Sequence, residues 1–237
     1  MAEKSRRGEK AERPRRGEKL SKGEHVAVIG LGRFGGSVAE ALLDLGYEVL
    51  GIDSDPRIVQ DWSDRLTHVV EADSTDEDAL RQLGVHETTR AVVGIGTNLE
   101  TSVLTVLTLT ELGVPEVWAK ATSTKHGRIL ARVGAHHVVH PESEMGEKVA
   151  HLITGRMLDY IEFDDGFAIA KVQSPQDAAG RTLADLALRT RWGVTVVGVK
   201  RPGQDFEYAR PETVIPPDAQ LIVAGPTEKV EAYAEAV

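Results

Sequence analysis

The sequence predicts an α/β protein in which a doubly wound parallel sheet is followed by a small α+β lobe. Two observations support this prediction. Up to residue 139, apolar segments of strand length alternate with amphipathic segments of helical spacing, as expected for a parallel sheet covered by helices on both faces. Beyond residue 157 the segments become short and are separated by Asp-Gly and Pro-Gly turns, which favours a smaller mixed lobe.

The first strand is followed by a glycine-rich turn. Val26 to Ile29 is an apolar run, and Gly30, Gly32 and Gly35 then follow in the spacing G-x-G-x-x-G before a helix that Gly46 ends. The first glycine permits a tight turn, the second lets backbone approach a phosphate, and the third lets the helix pack on the strand. The N-terminus of the helix adds free N–H groups and a partial positive charge. The motif therefore predicts a Rossmann-like nucleotide site.

The second strand, Glu48 to Ile52, ends on an acid at the position that this site requires. Asp53 lies 18 residues beyond Gly35. A carboxylate at the end of the second strand can accept hydrogen bonds from both hydroxyls of a ribose. Because strand, glycine turn, helix and acid all agree, the interpretation does not depend on the glycines alone.

The alternation continues through four more strands. Strands are predicted over 67–72, 91–95, 116–121 and 135–139, and helices over 56–66, 76–83, 100–112 and 125–133. Ligands of such sheets bind beyond the carboxyl ends of the strands. The residues predicted to surround a nucleotide there are Gly30, Leu31, Gly32, Arg33, Phe34, Gly35, Asp53, Ser54, Asp73, Ser74, Thr75, Ile95, Gly96, Asn98 and Lys120.

The carboxyl-terminal part has a different pattern. One further helix is predicted over 142–157, strands over 159–163, 167–172, 195–200 and 220–224, and a short helix over 183–188. We therefore expect four segments: a tail over 1–22, a nucleotide-binding domain over 23–140, a linker helix over 141–157 and a lobe over 158–237.

Residues 1–22 form a basic segment that repeats RRGEK at 6–10 and 15–19. It contains nine Lys or Arg and four Glu, so it carries +5 and the rest of the chain −14 of the net charge of −9. Without apolar periodicity it is predicted to be a disordered tail. Such a tail is either a solvated extension or an electrostatic contact for anionic lipid or an acidic partner. The acidic body argues against nucleic acid as a partner.

The composition excludes several kinds of protein. The chain has no cysteine, which excludes disulfides, thiolate metal sites and cysteine catalysis. No apolar stretch reaches the length of a membrane span, and the charged amino terminus lacks the apolar core of a secretory signal. A cytoplasmic protein is expected.

Long stretches of the chain resemble the KtrA/TrkA-type proteins, in which a regulator-of-K⁺-conductance (RCK) amino-terminal domain precedes a TrkA-C lobe. The resemblance covers residues 25 to 228. It is carried by VIGLGRFGGSVAEAL, GYEVLGID, EADSTDEDAL, GIGTNLETSVLTVLTLTELGVPEVWAKA, ILARVGAHHVVHPESEMG and RTLADLALRTRWGVTVVGVKRPG.

The resemblance implies a cytosolic gating subunit without enzymatic activity. Members assemble as dimers that stack into octameric rings beneath a membrane subunit that translocates K⁺. They bind ATP or ADP, and some bind NAD(H). The identity of the nucleotide changes the shape of the ring and the activity of the channel.

The resemblance also implies roles for single residues. Arg33 matches an arginine that reaches nucleotide phosphates, including those across the dimer, and Asp53 matches the acid that binds ribose. Asp73 and Ser74 match the stretch beside adenine, and Lys120 matches a basic residue near the phosphates. Chemistry alone leaves alternatives open, because Arg33 also fits an exposed position and Lys120 the edge of a sheet.

Two further sites follow from the resemblance. Glu142 matches an acid that takes part in binding a cation, Mg²⁺, Ca²⁺ or Na⁺, near the terminal phosphate, although it also suits the first turn of a helix. Some members bind cyclic di-AMP in the C-lobe, and Arg189 and Pro211 match that pocket. Ala184 departs from the pattern, because a larger aliphatic residue is usual there.

The sequence leaves two other functions open. An NAD(H)-dependent oxidoreductase or a redox sensor would also use the glycine turn and Asp53. Against catalysis, the second domain is small and offers no evident His, Lys or Tyr constellation over a nicotinamide. A membrane-associated scaffold acting through the basic tail is the third alternative.

Overall fold

The structure is a computed structural model that describes residues 25–153, 157–163 and 165–237. It divides into two compact units, the first ending at Pro141 and the second running from Glu142 to Val237. The predicted tail over 1–22 lies outside the described residues. Within the described ranges, no helix is long and apolar enough to cross a membrane.

The first unit contains a parallel sheet whose strands alternate with helices. The strands are β1 (His25–Ile29), β2 (Glu48–Asp53), β3 (His68–Glu71), β4 (Arg90–Val93), β5 (Glu116–Lys120) and β6 (His137–Val139). The helices between them are α1 (Arg33–Asp44), α2 (Pro56–Trp62), α3 (Glu77–Gln82), α4 (Leu99–Glu111) and α5 (Thr124–Arg132). The strand order is β3-β2-β1-β4-β5-β6, and every pairing is parallel. The predicted doubly wound sheet is confirmed, and its order reverses between β1 and β4.

Both faces of β1 are covered, which explains why it is apolar from Val26 to Ile29. Side chains alternate across a strand, so Val26 and Val28 pack with α1 and α2. Ala27 and Ile29 belong to the core on the opposite face, which contains residues of α3, α4 and α5. Helices thus pack on both faces of β1. Ligands of such sheets bind at the carboxyl edge, beyond the ends of the strands.

The second unit contains an antiparallel sheet. Its elements are α6 (Pro141–Ile153, which begins at the boundary), β7 (Asp159–Phe163), β8 (Phe167–Gln173), α7 (Leu183–Leu186), α8 (Leu188–Trp192), β9 (Thr195–Lys200), β10 (Phe206–Tyr208), β11 (Gln220–Pro226) and α9 (Thr227–Ala236). The strand order is β10-β9-β11-β8-β7. One face packs on the helices and forms the core of this unit. The predicted small α+β lobe is confirmed.

The structure differs from the predicted elements at several points. The helix predicted over 56–66 ends at Trp62, and the chain then turns so that Leu66 still packs in the core. The helix predicted over 183–188 is interrupted at Ala187, whose φ is +46°. Strand β10 and helix α9 were not predicted. The helix predicted over 142–157 is described from Pro141 to Ile153, and residues 154–156 lie outside the described part.

Candidate nucleotide-binding site

The glycine turn joins β1 to α1 through close backbone contacts. Gly30 has a φ of +84°, in the left-handed region that favours glycine. A Cβ on Gly35 would overlap the carbonyl oxygen of Gly30, so the helix touches the turn directly. Gly32, the N-cap of α1, is different, because a Cβ there would meet no atom within 4 Å. Gly32 therefore leaves open space at the N-terminus of the helix, as an approaching phosphate requires.

Gly94, directly after β4, packs against the glycine turn, although it lies outside the G-x-G-x-x-G motif. Its N–H donates to the carbonyl oxygen of Ile29 over 2.7 Å. A Cβ on Gly94 would lie 2.7 Å from the oxygen of Gly30 and 3.1 Å from the backbone of Gly35. The end of β4 thus packs directly against the glycine turn and helps to fix its position. In the sequence, the Gly-Ile-Gly run at 94–96, directly after an apolar strand, is the feature that could have indicated this close backbone contact.

Asp53 holds the glycine turn in addition to its predicted role toward ribose. Its Oδ2 accepts the N–H of Leu31 over 2.7 Å, and its Oδ1 accepts the N–H of Asp55 over 2.9 Å. Each carboxylate oxygen can accept more than one hydrogen bond. The side chain therefore keeps acceptor capacity for ribose hydroxyls while it fixes the position of the turn.

The N-terminus of α1 is suited to an anion. Gly32 offers no capping side chain, and no acidic residue lies in the first turn. Arg33, the first residue of α1, is exposed. The N–H groups, the helix dipole and a guanidinium therefore favour a negatively charged group at one place.

Lys120 extends from the end of β5 toward the glycine turn. Its Nζ lies 5.7 Å from the centre of the Phe34 ring, within the range of a cation–π contact. A Cβ on Gly96 would lie 3.5 Å from the same Nζ. The ammonium group is thus placed between the first turn of α1 and the end of β4, where the sheet order reverses.

The segment after β3 has its polar side chains already engaged. Asp73 accepts the backbone N–H of Thr75 over 2.9 Å and its hydroxyl over 2.7 Å, and these two bonds hold the pKa of Asp73 below its usual value. Ser74 is buried, and its Oγ lies 2.7 Å from the hydroxyl oxygen of Thr105 on α4. Ser74 therefore attaches the end of β3 to α4, a contact that the sequence pattern did not reveal.

The remaining predicted residues of the first unit lie at the same edge of the sheet. Ile95 covers the turn, since a Cβ on Gly30 would lie 3.0 Å from its Cγ1. Asn98 caps α4 by accepting the N–H of Thr101 over 3.1 Å. Ser54 is exposed directly after β2. The carboxyl ends of β1 to β5 thus carry every predicted nucleotide residue.

The three predicted residues of the other two sites belong to the second unit. Glu142 lies in the first turn of α6. Arg189 and Pro211 both line a groove of about 430 Å³, together with Leu183, Ala184 and Arg210. Among the described residues, no group of three or more His, Cys, Asp or Glu side chains is arranged to hold a metal ion. A cation at Glu142 would therefore need further oxygen ligands from a phosphate or a second chain.

A large apolar groove lies on the α1 side of the first unit's sheet. Its volume is about 540 Å³. We call it the α1 groove, and its lining is Phe34, Val38 and Leu42 of α1, Tyr47 after it, and Val26, Arg90, Val92, Trp118, Ala119 and Val139 of the sheet. A groove of this composition is suited to another apolar element.

Comparison with known families matches both units. The TrkA-N domain model matches residues 26–141, and the TrkA-C domain model matches residues 167–237. Ktr system potassium uptake protein C of Bacillus subtilis is 37% identical over 212 residues, which cover 89% of this chain and 96% of that protein. Ktr system potassium uptake protein A of Vibrio alginolyticus is 33% identical over 86% of this chain and 93% of that protein.

Solved structures match the fold. The RCK domain of GsuK covers 92% of this chain with a TM-score of 0.51 at 24% identity. This chain spans 47% of that one. The TrkA-N domain of the inner membrane protein ybaL of Escherichia coli covers 56% of this chain and 99% of its own, with a TM-score of 0.51 at 19% identity. At these identities the likeness shows the arrangement of elements alone.

Proposed function

The chain belongs to the family of proteins built from a TrkA-N and a TrkA-C domain, and from this premise we propose that it is the nucleotide-binding gating subunit of a potassium uptake system. Its relatives in Bacillus and Vibrio are Ktr potassium uptake proteins. The ion pathway then belongs to a separate membrane subunit of Ktr or Trk type. The protein acts in the cytoplasm, at the inner face of the membrane, through that partner, and it performs no catalysis.

The single observation that carries this proposal is the arrangement around the glycine turn. Open space at Gly32, the uncapped start of α1 and the exposed Arg33 form a place for phosphates. Asp53 is fixed at the adjoining strand end, where it accepts the N–H of Leu31. This hydrogen bond ties the proposed ribose acid to the turn that would receive the phosphates, which supports a nucleotide site here.

ATP and ADP are the proposed regulatory ligands. They share adenine, ribose and two phosphates, so their contacts differ at the terminal phosphate. Arg33 and Lys120 are the cations of this region that would distinguish them, because charge-assisted hydrogen bonds to phosphate are strong. A ligand shifts a conformational equilibrium only by its differential affinity for the two states.

A divalent cation accompanies the nucleotide in this proposal. Glu142 supplies one hard carboxylate ligand, and phosphate oxygens supply others, a donor set that suits Mg²⁺ or Ca²⁺ better than a softer metal. Na⁺ is compatible with the same oxygens. By the resemblance, this cation would lie near the terminal phosphate at the interface between two copies.

The proposed gating subunit is an oligomer, dimers assembled into an octameric ring. The α1 groove offers an apolar surface to a second copy. Helix α6 has an exposed apolar stripe, Met145, Val149 and Ile153, at the spacing of one helix face. Burying such a stripe in such a groove would stabilise a symmetric dimer.

The groove at Arg189 and Pro211 is the proposed site for cyclic di-AMP. Arg189 and Arg210 bring two guanidinium groups to a groove with apolar walls, which suits a base next to a phosphate. Ala184 makes one wall smaller than is usual in the family, so we expect weak binding.

The second candidate is an NAD(H)-binding redox sensor or oxidoreductase. The observation that favours it is the position of Asp53, because this carboxylate serves the ribose of NAD as well as that of ATP. ATP ends in a terminal phosphate, whereas NAD(H) has none. Replacing Arg33 should therefore weaken ATP binding more than NADH binding, and this difference distinguishes the two candidate functions.

Replacing Arg33 by Ala tests the proposal. We expect ATP affinity, measured by titration calorimetry, to fall about tenfold, because a hydrogen bond between charged groups is lost. ADP should lose less. Arg201→Ala, which removes an exposed arginine of the second unit, serves as the control and should change neither affinity. The proposed mechanism is wrong if Arg33→Ala leaves ATP and ADP affinities equally unchanged.

A further inference from the structure

Phe34 belongs at once to the nucleotide site and to the α1 groove. Its backbone lies in the first turn of α1, next to Arg33. One side of its half-buried ring meets the ammonium group of Lys120, 5.7 Å from the ring centre. The ring also lines the α1 groove, together with Val38 one turn later. One side chain therefore borders both the start of α1 and the groove.

We propose that Phe34 is the positioning residue that couples the terminal phosphate of the bound nucleotide to the α1 groove, and thereby to the second copy that packs there. This inference rests on the proposed function and assigns its transmission step. The phosphate draws the ammonium group of Lys120 away from the ring, and the ring then changes its position in the wall of the groove.

The competition for Lys120 follows from the strengths of the two contacts. An ammonium group bonds a phosphate oxygen through a charge-assisted hydrogen bond. Its contact with an aromatic face rests on the weaker attraction of the ring quadrupole. Lys120 Nζ lies 3.5 Å from the Cβ position of Gly96, at the end of the sheet where the phosphates are proposed to bind, so it can reach either partner. A nucleotide with one more phosphate therefore favours the phosphate contact.

The groove responds because Phe34 is a large part of its wall. Its other aromatic lining residues are Tyr47 and Trp118, and Trp118 comes from β5, the strand that also ends in Lys120. Apart from Arg90, the rest of the lining is aliphatic, with Val38 and Leu42 among it. Apolar contacts depend on close packing, so moving one ring changes how well a second copy fits.

Equilibrium sedimentation of the full chain tests this coupling. The dissociation constant for self-association is measured in saturating ATP and in saturating ADP, and the ratio of the two values is the readout. For the wild type we expect a ratio of about fivefold or more, the usual range for coupled sites. Phe34→Leu keeps an apolar wall but removes the aromatic face, and the ratio should fall to about one.

Two further variants separate coupling from packing. Phe34→Tyr keeps the aromatic face and should restore the ratio. Val38→Ala thins the same wall without touching Lys120, so it should weaken self-association equally in both nucleotides and leave the ratio unchanged.

The outcomes distinguish this inference from the proposed function. If the wild type binds neither ATP nor ADP, the proposed function fails and the coupling with it. If the wild type binds both, but Phe34→Leu keeps the full ratio, or the wild type itself shows none, the coupling through Phe34 is wrong while nucleotide binding stands.

Discussion

At the scale of single residues, the glycine turn contains glycines that are required for opposite reasons. Gly35 is required by the fold, because a Cβ there would overlap the Gly30 oxygen. Gly32 has a φ of −63° and no atom near its Cβ position, so the fold alone would accept a side chain. Packing therefore does not require glycine at position 32, and we propose that an approaching phosphate does.

Gly32→Ala and Gly35→Ala should therefore behave differently. Gly32→Ala should keep or raise the free energy of unfolding, by about 0.4–1 kcal/mol, because it restricts the unfolded chain. It should weaken ATP binding about tenfold, since the methyl group stands where phosphate approaches. Gly35→Ala should lose about 1–3 kcal/mol of stability through overlap with backbone. Chemical denaturation and calorimetry measure the two quantities.

Gly146→Ala provides the matched control, because no atom lies within 4 Å of its Cβ position and it lies inside α6. This change should add about 0.5–1 kcal/mol to helix stability and leave ATP affinity unchanged. If Gly32→Ala bound ATP as tightly as the wild type, phosphates would not occupy the space at Gly32.

The residues whose roles depend on neighbouring parts of the chain could be predicted from the sequence. The contacts made between strands of the sheet could not. The glycine spacing and Asp53 follow from the order of strand, turn and helix. The bond from Leu31 to Asp53 joins the turn after β1 to the neighbouring β2, and the contact of Gly94 with Gly30 joins that turn to the end of β4, which follows β1 after two other strands in the chain. Such contacts require the strand order, which the pattern does not contain.

At the scale of elements, the second unit contains a strained helix break. Helices α7 and α8 are separated by Ala187, which adopts φ +46° and ψ +39°. The left-handed conformation brings Cβ close to the following carbonyl oxygen, and alanine has no polar side chain that could offset this with a local hydrogen bond. The break turns the chain so that Leu186 and Leu188, on either side, are both buried.

Ala187→Gly should stabilise the protein by about 0.5–1 kcal/mol, because glycine adopts this conformation without the Cβ contact. Thermal and denaturant unfolding measure the effect. Ala184→Gly, one turn earlier inside α7, is the control, and it should destabilise by a similar amount because its backbone is helical. A loss of stability in Ala187→Gly would show that the break is not strained.

The elements that sequence missed have physical reasons. Strand β10 is three residues long and fully exposed, so it has no alternation to detect. Helix α9 has buried residues Val230, Tyr233 and Ala234 at helical spacing, a signal that was present but short. The break at Ala187 could not be predicted, because alanine favours helix and the left-handed conformation is imposed by the surrounding core.

At the scale of the whole molecule, the division into two units agrees with a regulatory protein. The first unit carries the nucleotide residues at one sheet edge, and the second carries α6 and the groove at Arg189. Each unit has a core of its own, and in the proposed function each keeps its structure while ligands change how copies assemble. Nucleotide binding is thus the event from which the proposed gating follows.

The most direct measurement is titration calorimetry of the purified full chain with ATP, ADP and NADH, with and without Mg²⁺ or Ca²⁺. We expect both ATP and ADP to bind, and a divalent cation to strengthen ATP binding more than ADP binding, because the proposed cation position is at the terminal phosphate. Preference for NADH with no effect of the cation would contradict the gating role and favour a redox sensor.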